Sequence, residues 1–380
     1  MNQLKNKFLV VVIAVLCLVG CGERTSEEKV NSTKHVETVV AMLPTTGYLA
    51  FLGEPGQKAI QLALEDIAHN QGRVPFSVEI VDTKGDPKEA VTRYMETKEK
   101  YNAKIFITTL TGVSEALKPM IEKDGGLQIV VAIHPKLMEK SQNAIRFCFS
   151  AAQEAHEISD HLTKNKKETI GLLVSKDATS VSEFDDYLIP ALKVAQMTYA
   201  RQDYDVGQKD FRTALLSLKS NNISKLVVLG YGSDLPAILK QLAIIDPKGK
   251  IGVVGGIGLI EFPDWGSADY LNRQLDFVGP SLAVDGLVAT QTNSIARRYS
   301  EKFGTKYMPY DAAFTYDAIT ALSTAFGQGA VEAAQVHDKI ISWKTYRGSV
   351  GEITFSADGD VVSNMSWARY QDGRFVKGEE

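Results

Sequence analysis

The segment from Val36 to Asn70 combines a strand pattern, a long polar loop and a helix pattern in one stretch. Val39–Leu43 is an apolar run with the length and β-branched content of a buried strand. Pro55 suits the first turn of a helix, and apolar residues recur at helical spacing from Ile60 onward. The loop Pro44–Glu54 is longer than most connections, so we expect it to contact a ligand rather than only to join two elements.

Strand and helix patterns then alternate in two series, one ending near Ala132 and one running from about Ser150 to Gly255. Such alternation predicts mostly parallel sheets with helices on both faces. Each series is large enough to form a domain, and 380 residues with 44% hydrophobic content provide enough core for two domains. The sequence therefore predicts an α/β protein with two lobes.

Beyond Pro280 the pattern changes. Three helical stretches follow without clear strands between them, which indicates that the chain returns to cover the first lobe. The last forty residues have β character, and their Asp358-Gly359 and Asp372-Gly373 pairs predict hairpin turns.

Residues 1–20 have the pattern of an export signal. Lysines precede an unbroken apolar run, Phe8–Val19, which is shorter than the ~20 residues of a membrane-spanning helix. The run ends in Leu18-Val19-Gly20-Cys21, which resembles a bacterial lipobox and so implies cleavage before Cys21 and lipidation of that cysteine. The alternative is an ordinary signal peptide followed by a chance cysteine. We interpret the polar residues 21–35 as a flexible tether.

Composition and motifs argue against several functions. A net charge of −4 without a basic cluster indicates that nucleic acid is not a partner. The segment Gly252–Gly258 is rich in glycine but does not match G-x-G-x-x-G, and the chain has neither a Walker loop nor a nucleophile elbow. We therefore predict no catalysis, no cofactor and no metal.

Five sequence segments follow one another along the chain: Leu43–Ile67, Val81–Val91, Phe211–Leu242, Tyr310–Ile319 and Arg347–Val362. In this order they resemble the type I periplasmic binding proteins of the leucine/isoleucine/valine-binding kind, the solute receptors of ABC importers. Each segment alone is weak, whereas five in register are specific. The resemblance covers nearly all of Val36–Glu380.

The resemblance implies two Rossmann-like lobes, each a parallel sheet flanked by helices, joined by a three-segment hinge with the ligand cleft between them. We place the crossings near Ala152, Ser281 and Lys344. The expected bounds are 36–152 plus 282–343 for the first lobe, and 153–281 plus 344–380 for the second. In such a fold the ligand selects the closed form by contacting both lobes.

The same resemblance implies the positions that contact the ligand: Thr109, Thr111, Gly112, Ala132, Ile133, Ser150, Tyr231 and Ile257. Thr111 matches a hydroxyl that binds the ligand carboxylate together with free amides at a helix N-terminus. Ile133 stands where the family has Thr or Ser. Tyr231 matches an aromatic residue that is common near the ligand.

The two acids expected to bind the ligand's ammonium group are replaced by Ala151 and Ile257. Burying an ammonium group without a carboxylate is costly, so a standard α-amino acid fits poorly. A neutral molecule, or a carboxylate without an amine, fits better. A shift of one or two positions in the match leaves Glu154, Asp177 or Asp234 to take the role.

The resemblance thus implies an exported receptor, lipid-anchored to the periplasmic or cell-surface face of a bacterial membrane. It captures a small solute and delivers it to ABC permease subunits, and we expect it to be a monomer. The alternative is a ligand-sensing or regulatory lipoprotein that uses the same clamshell.

Overall fold

Five parallel strands form the first large sheet, in the order β2-β1-β3-β4-β5. The structure is a computed structural model that describes residues 37–164, 167–229, 234–260, 277–282, 294–371 and 374–378. The strands are β1 (Thr38–Leu43), β2 (Ser77–Asp82), β3 (Ile105–Thr109), β4 (Leu127–Val131) and β5 (Ala144–Arg146). Side chains on both faces of β1 are buried, which is why Val39–Leu43 reads as a continuous apolar run.

Three helices connect these strands: α1 (Ala50–Gln71), α2 (Pro87–Tyr101) and α3 (Thr111–Lys123). The start of α2 agrees with its sequence signals, because Asp86 accepts hydrogen bonds from the backbone N–H groups of Lys88 and Glu89. The prediction for α1 was wrong by more than a turn, since the helix begins at Ala50 and contains Pro55. Gly53 explains the early start, because its small size lets the first turn lie directly on Pro44, where a Cβ would meet the carbonyl.

The second large sheet has seven strands in the order β15-β14-β10-β9-β8-β6-β7. Its parallel strands are β6 (Thr169–Ser175), β7 (Thr198–Tyr204), β8 (Lys225–Leu229), β9 (Gly252–Gly255) and β10 (Phe277–Ser281). In the described part of this lobe the helices are α4 (Ala151–Thr163), α5 (Ala178–Ser182), α6 (Ile189–Val194), α7 (Arg212–Ser220), α8 (Asp234–Ile245) and α9 (Ile257–Ile260). A π-helical segment, Glu183–Leu188, joins α5 to α6, where the sequence predicted one regular helix.

Three further helices pack on the first lobe: α10 (Ser294–Phe303), α11 (Tyr310–Gly327) and α12 (Ala333–Ser342). Their buried residues share one hydrophobic core with β1 and α1. An ion pair between Arg298 and Asp66, which also accepts a hydrogen bond from the Tyr316 hydroxyl, connects α10 and α11 to α1.

The C-terminal strands divide between the lobes. The strands β11 (Thr345–Gly348), β12 (Gly351–Phe355) and β13 (Val361–Ser363) form a small antiparallel sheet. Its residues Ile353 and Phe355 belong to the core of the first lobe, although the sequence-based bounds assigned 344–380 to the second. The reason is aromatic packing, because the Phe355 ring lies 5.6 Å from that of Phe147. Only β14 (Ser366–Gln371) and β15 (Arg374–Lys377) join the second sheet, as an antiparallel pair at its edge.

The chain therefore makes its last crossing between β13 and β14 rather than near Lys344. The side chain of Gln153, in the first turn of α4, bonds to Ser363 at this point. Its Nε2 donates to the Ser363 carbonyl at 2.6 Å, and its Oε1 accepts from the Ser363 backbone N–H at 3.2 Å. The first and the last crossings are thus connected directly.

The predicted export signal, Cys21 and the tether lie outside the residues that the structure describes. Within the described ranges, no helix combines the length and the apolar character needed to cross a membrane.

Candidate functional site

A cavity of about 360 Å³ lies between the two lobes. The first lobe contributes the segments that follow β1 to β4 and the start of α11, and the second contributes those after β6 and β7 and the start of α8. The cavity is therefore at the carboxyl ends of the parallel strands, where open α/β sheets bind ligands. Its volume is at the small end of the ~300–1,000 Å³ that is typical of small-molecule sites.

Asp82, at the end of β2, holds the loop that follows β1. Its Oδ1 accepts hydrogen bonds from the backbone N–H groups of Thr45 (3.0 Å), Thr46 (3.2 Å) and Lys84 (2.9 Å), and its Oδ2 accepts one from the Thr46 hydroxyl. Burial alone would raise the pKa of Asp82, but these hydrogen bonds hold that pKa below its ordinary value. The fixed loop leads into Tyr48, which lines the cavity, as expected of a loop with a ligand role.

The start of α3 forms the centre of the first wall. Leu110 has a φ of 68°, a left-handed value that Leu rarely adopts, and it turns the chain from β3 into the helix. Thr111 and Gly112 then line the cavity at the N-terminus of α3. The first N–H groups of a helix have no intrahelical partner and favour a carboxylate, so this wall has the chemistry expected for an anionic group.

One hydrogen bond joins the two walls directly. The hydroxyl of Thr179, in α5, donates to the hydroxyl of Thr111 at 3.0 Å. Asp177 fixes the start of α5 by accepting a hydrogen bond from the Ser180 backbone N–H at 2.9 Å. The lobes are therefore in contact at the residue for which the sequence predicted a ligand-binding hydroxyl.

Five of the eight predicted ligand-binding residues line the cavity: Thr109, Thr111, Gly112, Ala132 and Ile133. Ser150 does not, because its hydroxyl accepts a hydrogen bond from the Gln153 backbone N–H at 3.2 Å and caps α4. Ile257 does not either; it is buried in the core and its N–H donates to Glu154. Tyr231 lies outside the described residues. The assignment of these residues to a ligand stays a prediction.

Among the described residues, four acidic side chains line the cavity, and the sequence pointed to only two of them. Asp177 and Asp234 were open alternatives, whereas Glu115 and Asp311 were missed. Asp311 lies in the first turn of α11, where an acidic residue usually complements the helix dipole, and Glu115 lies within α3, so nothing in the sequence distinguished them. Among the described residues that line the cavity, none is Lys, Arg or His.

Asp234 and Asp311 differ from ordinary surface acids. Asp234 is only 5% exposed, and its Oδ1 has no hydrogen-bond partner among the described residues. Burial raises the pKa of Asp234, whereas Lys209, 3.8 Å from Oδ1, and a hydrogen bond from the Gly207 backbone N–H act in the opposite direction. The charge of Asp177 adds to the rise. Burial also raises the pKa of Asp311, to about 7. The cavity therefore disfavours these negative charges unless a positive charge enters.

Glu154, the third alternative, is buried outside the cavity and contacts Glu183. Burial raises the pKa of both carboxyl groups, and the charge of Glu154 raises that of Glu183 further. Two buried carboxyls in contact cannot both ionise, so a proton shared between them holds α4 to the π-helical segment. We assign this pair a structural role.

The described residues offer neither an accessible cysteine nor a cluster of metal ligands. Cys148 is 1% exposed, and burial raises the pKa of its thiol, so it offers no accessible nucleophile. In the ranges that the structure describes, no three His, Cys, Asp or Glu side chains group as a metal site.

Two α/β lobes around a shared cavity define the class of two-lobed solute-binding proteins. A family model described as periplasmic binding protein matches residues 38–374. The chain belongs to the periplasmic binding protein family.

Solved structures of similar fold come from several bacteria. The leucine binding protein LivK from Thermotoga maritima is 19% identical, with a TM-score of 0.76 over 90% of this chain and 98% of that one. LivJ from Streptococcus pneumoniae, a branched-chain amino acid transporter substrate binding protein in complex with isoleucine, is 20% identical (TM-score 0.74; 90% and 100% covered). An ABC transporter solute binding protein from R. palustris in complex with benzoate is 17% identical (TM-score 0.76; 90% and 95% covered). At these identities the likeness shows the fold, and a comparison with curated protein sequences gave no match.

Proposed function

We propose that this protein is the solute receptor of an ABC importer, which captures a small molecule between its lobes and delivers it to permease subunits. The observation that carries the proposal is the cavity lined by both lobes, across which Thr179 bonds to Thr111. A ligand in this position contacts both walls at once, so its binding energy favours the closed arrangement. The solved relatives named as transporter proteins support the ABC partner.

The proposal includes a lipid anchor at Cys21. The apolar run that ends in Leu18-Val19-Gly20-Cys21 supports it, and two or three acyl chains on one residue hold a protein firmly on a membrane. In the bacterium, Cys21→Ala should move the protein from the membrane fraction to the soluble fraction, with Cys148→Ala as the matched control. Retention of Cys21→Ala on the membrane would contradict the anchor.

We also propose that the solute is not a standard α-amino acid. Ala151 and Ile257 are apolar where the ammonium-binding acids were expected, and Ile257 lies outside the cavity. The relatives in complex with isoleucine and with benzoate hold ligands with and without an amine, so the fold alone does not select a class.

The test is a thermal-shift screen of the full chain carrying Cys21→Ala against a broad metabolite library. A ligand at 100 times its dissociation constant should stabilise the protein by ~2.7 kcal/mol. Thr111→Ala should weaken the best ligand, whereas Thr92→Ala, an exposed threonine on α2, should not. Small-angle scattering should report a smaller radius of gyration with the ligand. A library that neither stabilises nor compacts the protein would overturn the receptor function.

A further inference from the structure

We propose that Arg146 is a positioning residue for ligand binding. Its guanidinium group holds one wall of the cavity, residues 132–134, and Asp360 holds the guanidinium group in place. The inference rests on the proposed receptor function and adds to it a residue that acts on the solute through others, since Arg146 itself does not line the cavity. Residues 132–134 are called the wall segment below.

The buried charge of Arg146 is the first observation. Arg146 is the last residue of β5, and its side chain is fully buried. Burying a charge is costly unless other partners replace water, and each guanidinium nitrogen has such a partner. Nη1 donates to the Ala132 carbonyl, Nη2 donates to the His134 carbonyl at 3.0 Å, and Nε donates to Asp360 Oδ1 at 2.6 Å. One rigid, planar side chain therefore connects two backbone carbonyls to a carboxylate.

The bonds to the wall segment continue the pairing of β4 beyond the end of β5. Next to that end, the Phe147 N–H donates to the Val130 carbonyl at 2.8 Å. The guanidinium group of Arg146 then supplies the donors for the first and third carbonyls of the wall segment. The second carbonyl, of Ile133, accepts from the Ala151 N–H at 2.8 Å. All three carbonyls of the wall segment are thus held.

The wall segment is part of the candidate site, because Ala132 and Ile133 line the cavity. Where these two residues lie depends on the backbone that carries them, and Arg146 bonds to that backbone on both sides of Ile133. Residues that bind a ligand must be held by their neighbours, since a site that is about 1 Å too loose binds poorly. A backbone that is ordered before binding also loses less entropy when the ligand arrives.

Asp360 connects this wall to the small C-terminal sheet. Its Oδ1 accepts from the Val361 N–H at 2.8 Å as well as from Arg146, and the Arg146 N–H donates to the Gly359 carbonyl at 2.9 Å. Gly359 has a φ of 80° and lies directly on β5, where a Cβ would meet the Ala144 carbonyl. The turn before β13 therefore fixes the side chain that fixes the wall segment.

A second arginine in the same lobe separates positioning from general stability. Arg298 forms two hydrogen bonds with Asp66, and neither residue lines the cavity. Substitution by Lys at either arginine keeps the positive charge and removes the planar fork of donors. If Arg146 only stabilised the fold, the two substitutions would act alike, and neither would change the affinity for a ligand.

The experiment measures calorimetric affinities of the full chain carrying Cys21→Ala for two probes, benzyl alcohol and benzoate. One is neutral and the other is a carboxylate without an amine. Arg146→Lys and Asp360→Ala should each weaken a probe that binds the parent protein by about tenfold, which corresponds to the loss of about one hydrogen bond. Arg298→Lys and Asp358→Ala, a change at an exposed acid of the same turn as Asp360, should leave the affinity unchanged. Melting temperatures show whether each variant is folded, and Asp360→Ala decides if Arg146→Lys is not.

Hydrogen exchange without a probe measures the order of the wall segment itself. The Ala151 N–H, which is bonded to the Ile133 carbonyl, should exchange at least about tenfold faster in Arg146→Lys, because the wall segment opens locally more often. The N–H groups of Ser349 and Val350 are hydrogen-bonded elsewhere in the same lobe and should keep their rates. The two control variants should leave all three rates unchanged.

The outcomes separate this inference from the function on which it rests. Unchanged probe affinity in both Arg146→Lys and Asp360→Ala would overturn the positioning role while leaving a solute receptor. An equal loss of affinity in Arg298→Lys would also overturn it, because the effect would then come from stability in general. If neither probe binds the parent protein, exchange of the Ala151 N–H decides, and parental rates in both variants would overturn the inference. Failure of the whole metabolite library would overturn the receptor function instead.

Discussion

Asp82 and Asp234 lie beside the same cavity, one in each lobe, and their surroundings are opposite. Asp82 accepts four hydrogen bonds from the loop after β1, and its pKa is lowered. Asp234 is more deeply buried, has an oxygen without a described hydrogen-bond partner, and its pKa is raised. Both oxygens of Asp82 are hydrogen-bonded within the protein, whereas Oδ1 of Asp234 has no described hydrogen bond and only a distant ion pair with Lys209.

This difference separates structural from functional acids. A carboxylate that is fully hydrogen-bonded stabilises the fold, and its removal costs folding free energy. A buried carboxyl group with an unsatisfied oxygen costs folding free energy, and acids with perturbed pKa values cluster at functional sites. Asp82 thus holds the loop after β1 in place, whereas Asp234 leaves an oxygen without a described hydrogen bond beside the cavity.

The largest expected effect on stability concerns Asp82. Asp82→Ala removes all four hydrogen bonds and should lower the free energy of unfolding by about 2 kcal/mol, measured by urea denaturation. Asp82→Asn should lose less, because an amide oxygen can still accept the three N–H groups now bound to Oδ1. Asp234→Ala should cost less than Asp82→Ala despite its deeper burial. Equal losses of unfolding free energy in Asp82→Ala and Asp234→Ala would show that the two acids do not differ in their contribution to stability.

The second prediction is a pH dependence of opposite sign for the two kinds of acid. Asp82 has a lowered pKa, so its contribution to stability is present above its unfolded value of 3.8 and is lost as the pH falls through the folded value. Asp311 has a pKa raised from 3.8 to about 7, so its contribution is present below 3.8 and is lost as the pH rises toward 7.

Melting temperatures of the ligand-free protein should therefore decline between about pH 4 and pH 7. Asp311→Asn should flatten part of this decline, and the rest should remain because buried Asp317 also has a pKa raised to about 7. Asp160→Asn serves as the control. An unchanged profile in Asp311→Asn would show that this acid is not desolvated.

A smaller effect is expected from the bond between the lobes. Thr111→Val and Thr179→Val each remove the hydroxyl pair at nearly constant volume, and should cost about 0.5–1.5 kcal/mol. The double variant should cost no more than either single one, because both remove the same bond. Additive losses in this cycle would mean that the hydroxyls act separately.

The smallest effect should come from Lys209. Its exposed ammonium lies 3.8 Å from Asp234 Oδ1, so Lys209→Ala should change stability by less than about 0.5 kcal/mol. The same substitution should leave the affinity for the solute unchanged, because Lys209 does not line the cavity. A loss of affinity in Lys209→Ala would assign the lysine to the ligand.

Much of the fold could be predicted because its signals are local. The apolar run of β1 and the cap at Asp86 each depend on neighbouring residues only. The strand β7 escaped prediction because it lies at the edge of the sheet, where half-buried positions give no clear alternation. The small sheet β11–β13 was placed in the wrong lobe because its partner, Phe147, lies two hundred residues earlier.

The candidate site likewise contains residues that the sequence could locate and residues that it could not. Thr111 and Ile133 lie just after strands, where a family pattern can place residues, and both line the cavity, although their ligand role stays a prediction. Asp311 was missed because its importance comes from desolvation by segments distant in sequence, and no spacing rule describes that. The bond between Thr111 and Thr179 depends on how one lobe meets the other, which the sequence alone does not specify.

The amide of Gln153 has a mechanical consequence. The amide both donates to and accepts from the backbone of Ser363. The first and last connecting segments are therefore coupled and should move as one unit instead of independently. Any rotation of one lobe relative to the other would then occur about an axis through this pair of hydrogen bonds. Sideways sliding would break both bonds at once.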